Sequence, residues 1–139
     1  MSTPNFAGIG ACVFDAYGTL FDVNAATAAC RGRLDDKADR LAEVWRQKQL
    51  QYTWLRSLMG RYVDFWQVTG DALDYAMAAV GISDPGLRAQ LMQSYLSLKA
   101  YPDVADTLTK LKTRGLKCAI LSNGNRSMLY SAVKNVGIY

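Results

Sequence analysis

Two short apolar runs, far apart in the chain, limit what it can fold into. Residues 9–14 (Ile-Gly-Ala-Cys-Val-Phe) end at Asp15 and lead into Tyr17, Gly18 and Thr19, and residues 117–121 (Lys-Cys-Ala-Ile-Leu) end at Ser122, Asn123 and Gly124. Runs this short, closed by turn residues, read as buried strands of a parallel sheet. A helix is expected before the second run. Asp103 can cap it, Val104, Leu108 and Leu111 make one face, and Gly115 ends it. Residues 128–136 read as another helix. Strand-turn followed by helix-strand-turn-helix is the order of an α/β fold with a parallel sheet.

Between the two runs lies a helical block. Leu41, Val44, Trp45, Tyr52, Leu55 and Leu58 or Met59 follow helical spacing. Residues 63–80 predict a further helix ended by Gly81. Asp84 as cap and Pro85 in the first turn start another, with Leu87, Leu91, Tyr95 and Leu98 along one face. The expected architecture is therefore a Rossmann-like parallel-sheet core from residues 1–21 and 99–139, with an all-helical cap, residues 22–98, inserted after the first strand. The flanks hold two convincing strands, whereas a sheet commonly has about four to six. A two-stranded parallel sheet leaves faces and edges bare. Tyr139 stands just after a helix, where the next strand is due, so the core is expected to be incomplete here and the sequence truncated at its C-terminus.

Composition removes several kinds of chemistry. Histidine is absent, which excludes Ser-His-Asp and Cys-His nucleophile systems within this chain and removes the commonest transition-metal ligand. The three cysteines are scattered without CxxC or zinc-type spacing, so neither a disulfide framework nor a metal site is expected. Cys12 and Cys118 read as small buried hydrophobes, and Cys30 lies in a helical stretch. The net charge of +4 is uneven: residues 22–98 carry nine basic and nine acidic side chains, residues 99–139 seven and two. The excess (Lys110, Lys112, Arg114, Lys117) reads as a solvated helix flank, because nucleic-acid binding would want clustered bases interleaved with exposed aromatics. The apolar N-terminal segment is too short to span a bilayer and lacks the basic start and cleavage site of a secretory leader, so a cytoplasmic location away from membranes is expected.

Ligands of open parallel sheets bind beyond the carboxyl ends of the strands. Asp15 and Ser122-Asn123 would converge there if the strands are neighbours. Gly18 lets the backbone curl over Asp15, and Thr19 is placed to hydrogen-bond back to it. An ionised carboxylate needs no base to act as a nucleophile. Taken singly, these residues also have plainer readings: Asp15 and Thr19 as turn residues, Ser122-Asn123-Gly124 as a loop, Arg46 as a solvated charge, and Tyr17, Leu50 and Phe65 as core. Trp45, Tyr52 and Trp54 read as packing or as a contact between two copies of the chain, a homodimer.

Taken together, the segments resemble a known family. Phe14-Asp15-Ala16-Tyr17-Gly18-Thr19-Leu20-Phe21-Asp22 and Leu121-Ser122-Asn123-Gly124 look like the first two motifs of the haloacid dehalogenase superfamily. Residues 45–56 (Trp-Arg-Gln-Lys-Gln-Leu-Gln-Tyr-Thr-Trp-Leu-Arg) are similar to the cap of L-2-haloacid dehalogenases. The resemblance implies hydrolysis of a small 2-halo carboxylic acid to a 2-hydroxy acid through an aspartyl ester, with no cofactor and water as second substrate. It implies Asp15 as nucleophile, Thr19 holding Asp15, and Arg46 with Asn123 receiving the halide. Ser122 and the backbone near Ala16 and Tyr17 would bind the substrate carboxylate, and Tyr17, Gln47, Leu50 and Phe65 would wall an apolar pocket. Phosphatases of the superfamily carry a second aspartate where this chain has Tyr17. A phenol is a poor acid for an alkoxide leaving group, whereas halide needs no proton, so the exchange favours dehalogenation over a phosphatase or phosphonatase. The family also uses a lysine and a serine-asparagine-aspartate cluster further along. Neither has a match before Tyr139, which leaves an inactive fragment as the remaining alternative.

Overall fold

The structure is a computed structural model and describes residues 7–138. The first six residues of the expected core, and Tyr139, lie outside it. Strand β1 (Ala11–Phe14) is followed by two one-turn helices, α1 (Ala25–Ala28) and α2 (Arg31–Leu34). Then come the long α3 (Ala38–Leu58), α4 (Phe65–Ala79) and α5 (Pro85–Tyr95), and after them α6 (Val104–Thr113), β2 (Lys117–Ile120) and α7 (Arg126–Val136). The strands pair in parallel, Ala11 with Lys117 through Phe14 with Ile120. This is the α/β arrangement expected, with the helical block inserted between the strands.

Local chemistry explains where most helices begin and end. Asp64, Asp84 and Asn125 each take extended backbone and accept from the N–H three residues on (Gln67 3.0 Å, Leu87 2.9 Å, Met128 2.9 Å), which caps α4, α5 and α7. Caps at Asp64 and Asn125 explain why α4 starts later, and α7 earlier, than apolar spacing suggested. Asp103 precedes α6 but does not cap it with its side chain, because its own backbone is already helical (φ −86°, ψ −9°). Gly115, at φ +78°, ends α6 as expected.

The helical block buries Leu41, Val44 and Trp45 of α3 against Val68, Ala72 and Leu73 of α4, with Leu87, Leu91, Tyr95 and Leu98 completing the interior. The chain leaves the sheet and returns to it side by side: Asp22 N–H donates to the Lys99 carbonyl (2.8 Å) and Tyr101 N–H to that of Leu20 (3.0 Å). The far end of α3 departs from the expected stripe. Leu55, Leu58 and Met59 are exposed, Leu58 at 84%, and lie near exposed Trp54 and Tyr62. Helical spacing marks these residues as one face, but α4 runs beside the face that carries Arg56, which pairs with Asp71 (2.7 Å), and leaves this one open.

The strands are less buried than a continuous apolar run implies. Phe14, Cys118 and Ile120 face Leu108 of α6 and Val133 of α7 across an apolar hollow of about 280 Å³. Cys12 and Cys118 are accordingly half-buried rather than buried. On the opposite face Val13 is 62% exposed, because α6 and α7 cover one side only. Among the described residues no helix is long and apolar enough to cross a membrane.

Candidate active site

Asp15 is the first residue past β1. The ladder continues one step beyond the strands, with Leu121 N–H donating to the Phe14 carbonyl (2.9 Å), so Asp15 lies beside the start of the loop after β2. The chain then folds back tightly. The Ala16 carbonyl accepts from the N–H groups of Thr19 (3.3 Å), Leu20 (2.9 Å) and Phe21 (3.0 Å), and Gly18 N–H donates to the Phe21 carbonyl (2.9 Å). Gly18 sits at φ +93°, a backbone conformation that favours glycine, and a Cβ there would press on Arg46 Nη2 at 3.2 Å. The N–H groups of Ala16 and Tyr17 donate to no backbone acceptor among the described residues, which leaves them free for an anion.

Each residue singled out from the sequence has a definite place. The Asp15 carboxylate is exposed at the strand tip. Thr19 is exposed as well, and no hydrogen bond joins its hydroxyl to Asp15: the turn is held by backbone groups and the side chain points to solvent. Ser122 accepts from Gly124 N–H (3.1 Å) and so shapes its own loop. Asn123 reaches a cavity of about 30 Å³ shared with Arg56, Tyr62, Phe65 and Val68, at the seam between the β2 loop and the helical block. Arg46 reaches from α3 to the loop after β1 instead, giving Nη2 to the Tyr17 carbonyl (2.9 Å) and Nη1 to Gln49 Oε1 (2.8 Å), and it does not line the Asn123 cavity. Leu50, one turn on, is half-buried. Gln47 is exposed, because the residue after Arg46 is rotated by about 100° around the helix.

Tyr17 ties the loop to the block. Its ring, 3% exposed, packs against Tyr95 (5.4 Å), Phe65 (5.5 Å) and Phe21 (6.2 Å). Its hydroxyl is buried and has no hydrogen-bond partner among the described residues. Burial, and then the neighbouring Tyr95, push the phenol well above its ordinary value, so it stays neutral. Burial likewise pushes Tyr95 up to about 12, against the opposing effect of its hydrogen bond with Gln49. Among the described residues no three Cys, Asp or Glu side chains gather closely enough to hold a metal ion.

Four residues were not expected at this site from the sequence. Gln49, Thr69 and Tyr95 form a buried polar group under Arg46, and Gly124 lies flat against Tyr17, where a Cβ would come within 2.6 Å of the ring. A signal for Gln49 did exist: it follows Leu41 and Trp45 at four-residue spacing, a polar side chain on an apolar stripe.

A carboxylate at the tip of a parallel strand, with a helical insertion whose Arg46 reaches the loop just after it, is the arrangement of a hydrolase of the haloacid dehalogenase type. The chain belongs to the haloacid dehalogenase-like hydrolases, whose family model matches residues 9–139. It is 50% identical over 127 residues to (S)-2-haloacid dehalogenase 1 of Pseudomonas sp. (strain CBS-3), covering 91% of this chain and 56% of that protein. A solved dehalogenase structure superposes with a TM-score of 0.93 at 47% identity, covering 96% of this chain and 60% of the other. The L-2-haloacid dehalogenase from Xanthobacter autotrophicus with chloropropionic acid covalently bound superposes with a TM-score of 0.84 at 47% identity, covering 94% and 53%. The chain thus spans about half the length of the curated relatives it matches.

Proposed function

We propose that the protein hydrolyses small L-2-haloalkanoic acids to 2-hydroxy acids, with residues 22–98 acting as a cap over a core formed by residues 1–21 and 99–139. The Asp15 carboxylate attacks C2 from the face opposite the halogen. The carbon–halogen bond breaks, its electron pair leaves with the halide, and C2 inverts. Water then adds to the carbonyl carbon of the aspartyl ester. The 2-hydroxy acid departs, a proton is released, and one oxygen of the Asp15 carboxylate now comes from water.

The observation that carries this reading is the docking of Arg46 onto the loop that follows Asp15. That contact brings a guanidinium onto the loop next to the carboxylate, where it can receive the departing halide, as preorganised groups do for developing charge elsewhere, and Asn123 on the loop after β2 is the second acceptor of this reading. The free N–H groups of Ala16 and Tyr17, with Ser122 close by, suit the substrate carboxylate. Tyr17, Phe65 and Leu50 supply the apolar wall, with Gln47 at its outer rim, and the backbone N–H of Thr19 helps close the turn after Asp15. The neutral, buried phenol of Tyr17 suits a leaving group that needs no proton.

A second copy of the chain is the partner best suited to the exposed end of α3. Three free thiols fit a reducing, cytoplasmic setting. The catalytic reading is tested by turnover of L-2-chloropropionate by the complete protein in ¹⁸O-water. Label is expected in the Asp15 side chain, and Asp15→Asn is expected to abolish halide release. Turnover that leaves Asp15 unlabelled would overturn it.

A further inference from the structure

We propose that Gln49, locked from behind by Thr69 and Tyr95, is the positioning residue that aims Arg46, an inference that rests on the dehalogenation reading above. Gln49 lies one turn beyond Arg46 on α3 and is only 1% exposed. A buried primary amide is costly unless its polar atoms are satisfied. Here they are: Nε2 donates to Thr69 Oγ1 (2.8 Å) and to the Tyr95 hydroxyl (2.9 Å), while Oε1 accepts from Arg46 Nη1 (2.8 Å).

The direction of that amide is dictated from outside it. The Thr69 hydroxyl spends its one proton on the Phe65 carbonyl (2.6 Å), so toward Gln49 it can only accept. Nε2 must therefore face Thr69, and Oε1 must face the guanidinium. Turned over, the amide would set its own N–H₂ against Arg46, donor against donor. Tyr95 closes the other side of the amide, its hydroxyl accepting from Nε2 (2.9 Å) and donating to Oε1 (3.2 Å), and leaves the choice of orientation to Thr69. The chain of bonds from Phe65 through Thr69 and Gln49 to Arg46 thus holds the guanidinium at one angle over the Tyr17 carbonyl. The indole of Trp45 donates to the Thr69 carbonyl (2.9 Å) and keeps α3 and α4 in the register this requires.

A group that only packs the helices together would alter stability and leave the chemistry alone. A group that aims a halide acceptor alters how strongly rate depends on the leaving halide, because chloride needs more assistance than bromide. The experiment measures single-turnover halide release from 2-bromo- and 2-chloropropionate by the complete protein. Thr69→Val keeps the shape and removes the acceptor, which frees the amide to turn. The bromide-to-chloride rate ratio is expected to rise about fivefold to tenfold, with affinity little changed, and Thr69→Ser should restore it. Tyr95→Phe removes the other partner of the same amide and should move the ratio the same way, which keeps the proposal testable if Thr69→Val fails to fold. Equal slowing for both substrates would overturn the positioning role while leaving dehalogenation standing. Arg46→Lys is the control on the underlying reading: an unchanged ratio there would reject Arg46 as halide acceptor, and the positioning role with it.

Discussion

Gly124→Ala isolates a contact that no helix or strand rule anticipates. The added Cβ would lie 2.6 Å from Tyr17 Cε2 and 3.3–3.4 Å from two side-chain carbons of Leu129. The Tyr17 ring cannot slide away easily, since Phe21, Phe65 and Tyr95 hold it on other sides. Overpacking of this kind costs about 1–3 kcal/mol. Gly124 has no left-handed φ, so alanine also removes unfolded-state freedom, worth about 0.4–1 kcal/mol in its favour. At the middle of each range the steric cost wins, and the net destabilisation expected is about 1.3 kcal/mol. With a urea slope of about 2 kcal/mol/M, the unfolding midpoint should fall by about 0.3–1 M at unchanged slope. The same substitution in a Tyr17→Leu background, where the ring is gone, should cost nothing or stabilise. A midpoint at or above wild type, or the same loss in both backgrounds, would refute the argument.

Tyr95 sets an alkaline limit on stability. Its phenol titrates near 12 in the folded protein and near 10 in an unfolded chain. The raised folded value means that its contribution is complete below about pH 10 and is lost as pH climbs toward 12. Urea midpoints measured across that window should decline, and Tyr95→Phe should make the decline shallower without abolishing it, because the buried phenol of Tyr17 is raised as well; identical slopes in the two proteins would count against it. For the exposed end of α3, Leu58→Glu is expected to shift the complete protein from dimer to monomer in sedimentation. A monomeric wild type would dismiss that partner.

Much of the fold was legible because it rests on local rules. The strand runs ending at Asp15 and Ser122, the Asp84-Pro85 start of α5 and the Gly115 stop of α6 all follow from residue types at fixed offsets. What stayed hidden depends on partners. Helical spacing groups Leu55, Leu58 and Met59 on one face but does not say whether anything covers it. An apolar strand run does not reveal that only one side of the sheet carries helices. Asp103 has the right chemistry for a cap and the wrong backbone angles. At the site, the placing of Arg46 near the Asp15 loop came from the family resemblance, since Arg46 alone reads as a solvated charge. Gln49, Thr69 and Tyr95 were invisible as a group because they come from three helices, and each alone fits an ordinary helix position.

The side-by-side departure and return of the chain at Leu20–Asp22 and Lys99–Tyr101 bears on how the molecule assembles. β1 must find β2 across the whole helical insertion, and closing a longer flexible loop costs more entropy and slows pairing. Once α3, α4 and α5 have packed, the two ends of that insertion stand next to each other, and the search shrinks to the few residues that remain outside it. Helices that pack first would thereby prepare the pairing of β1 with β2, and with it the placing of the strand that ends at Asp15.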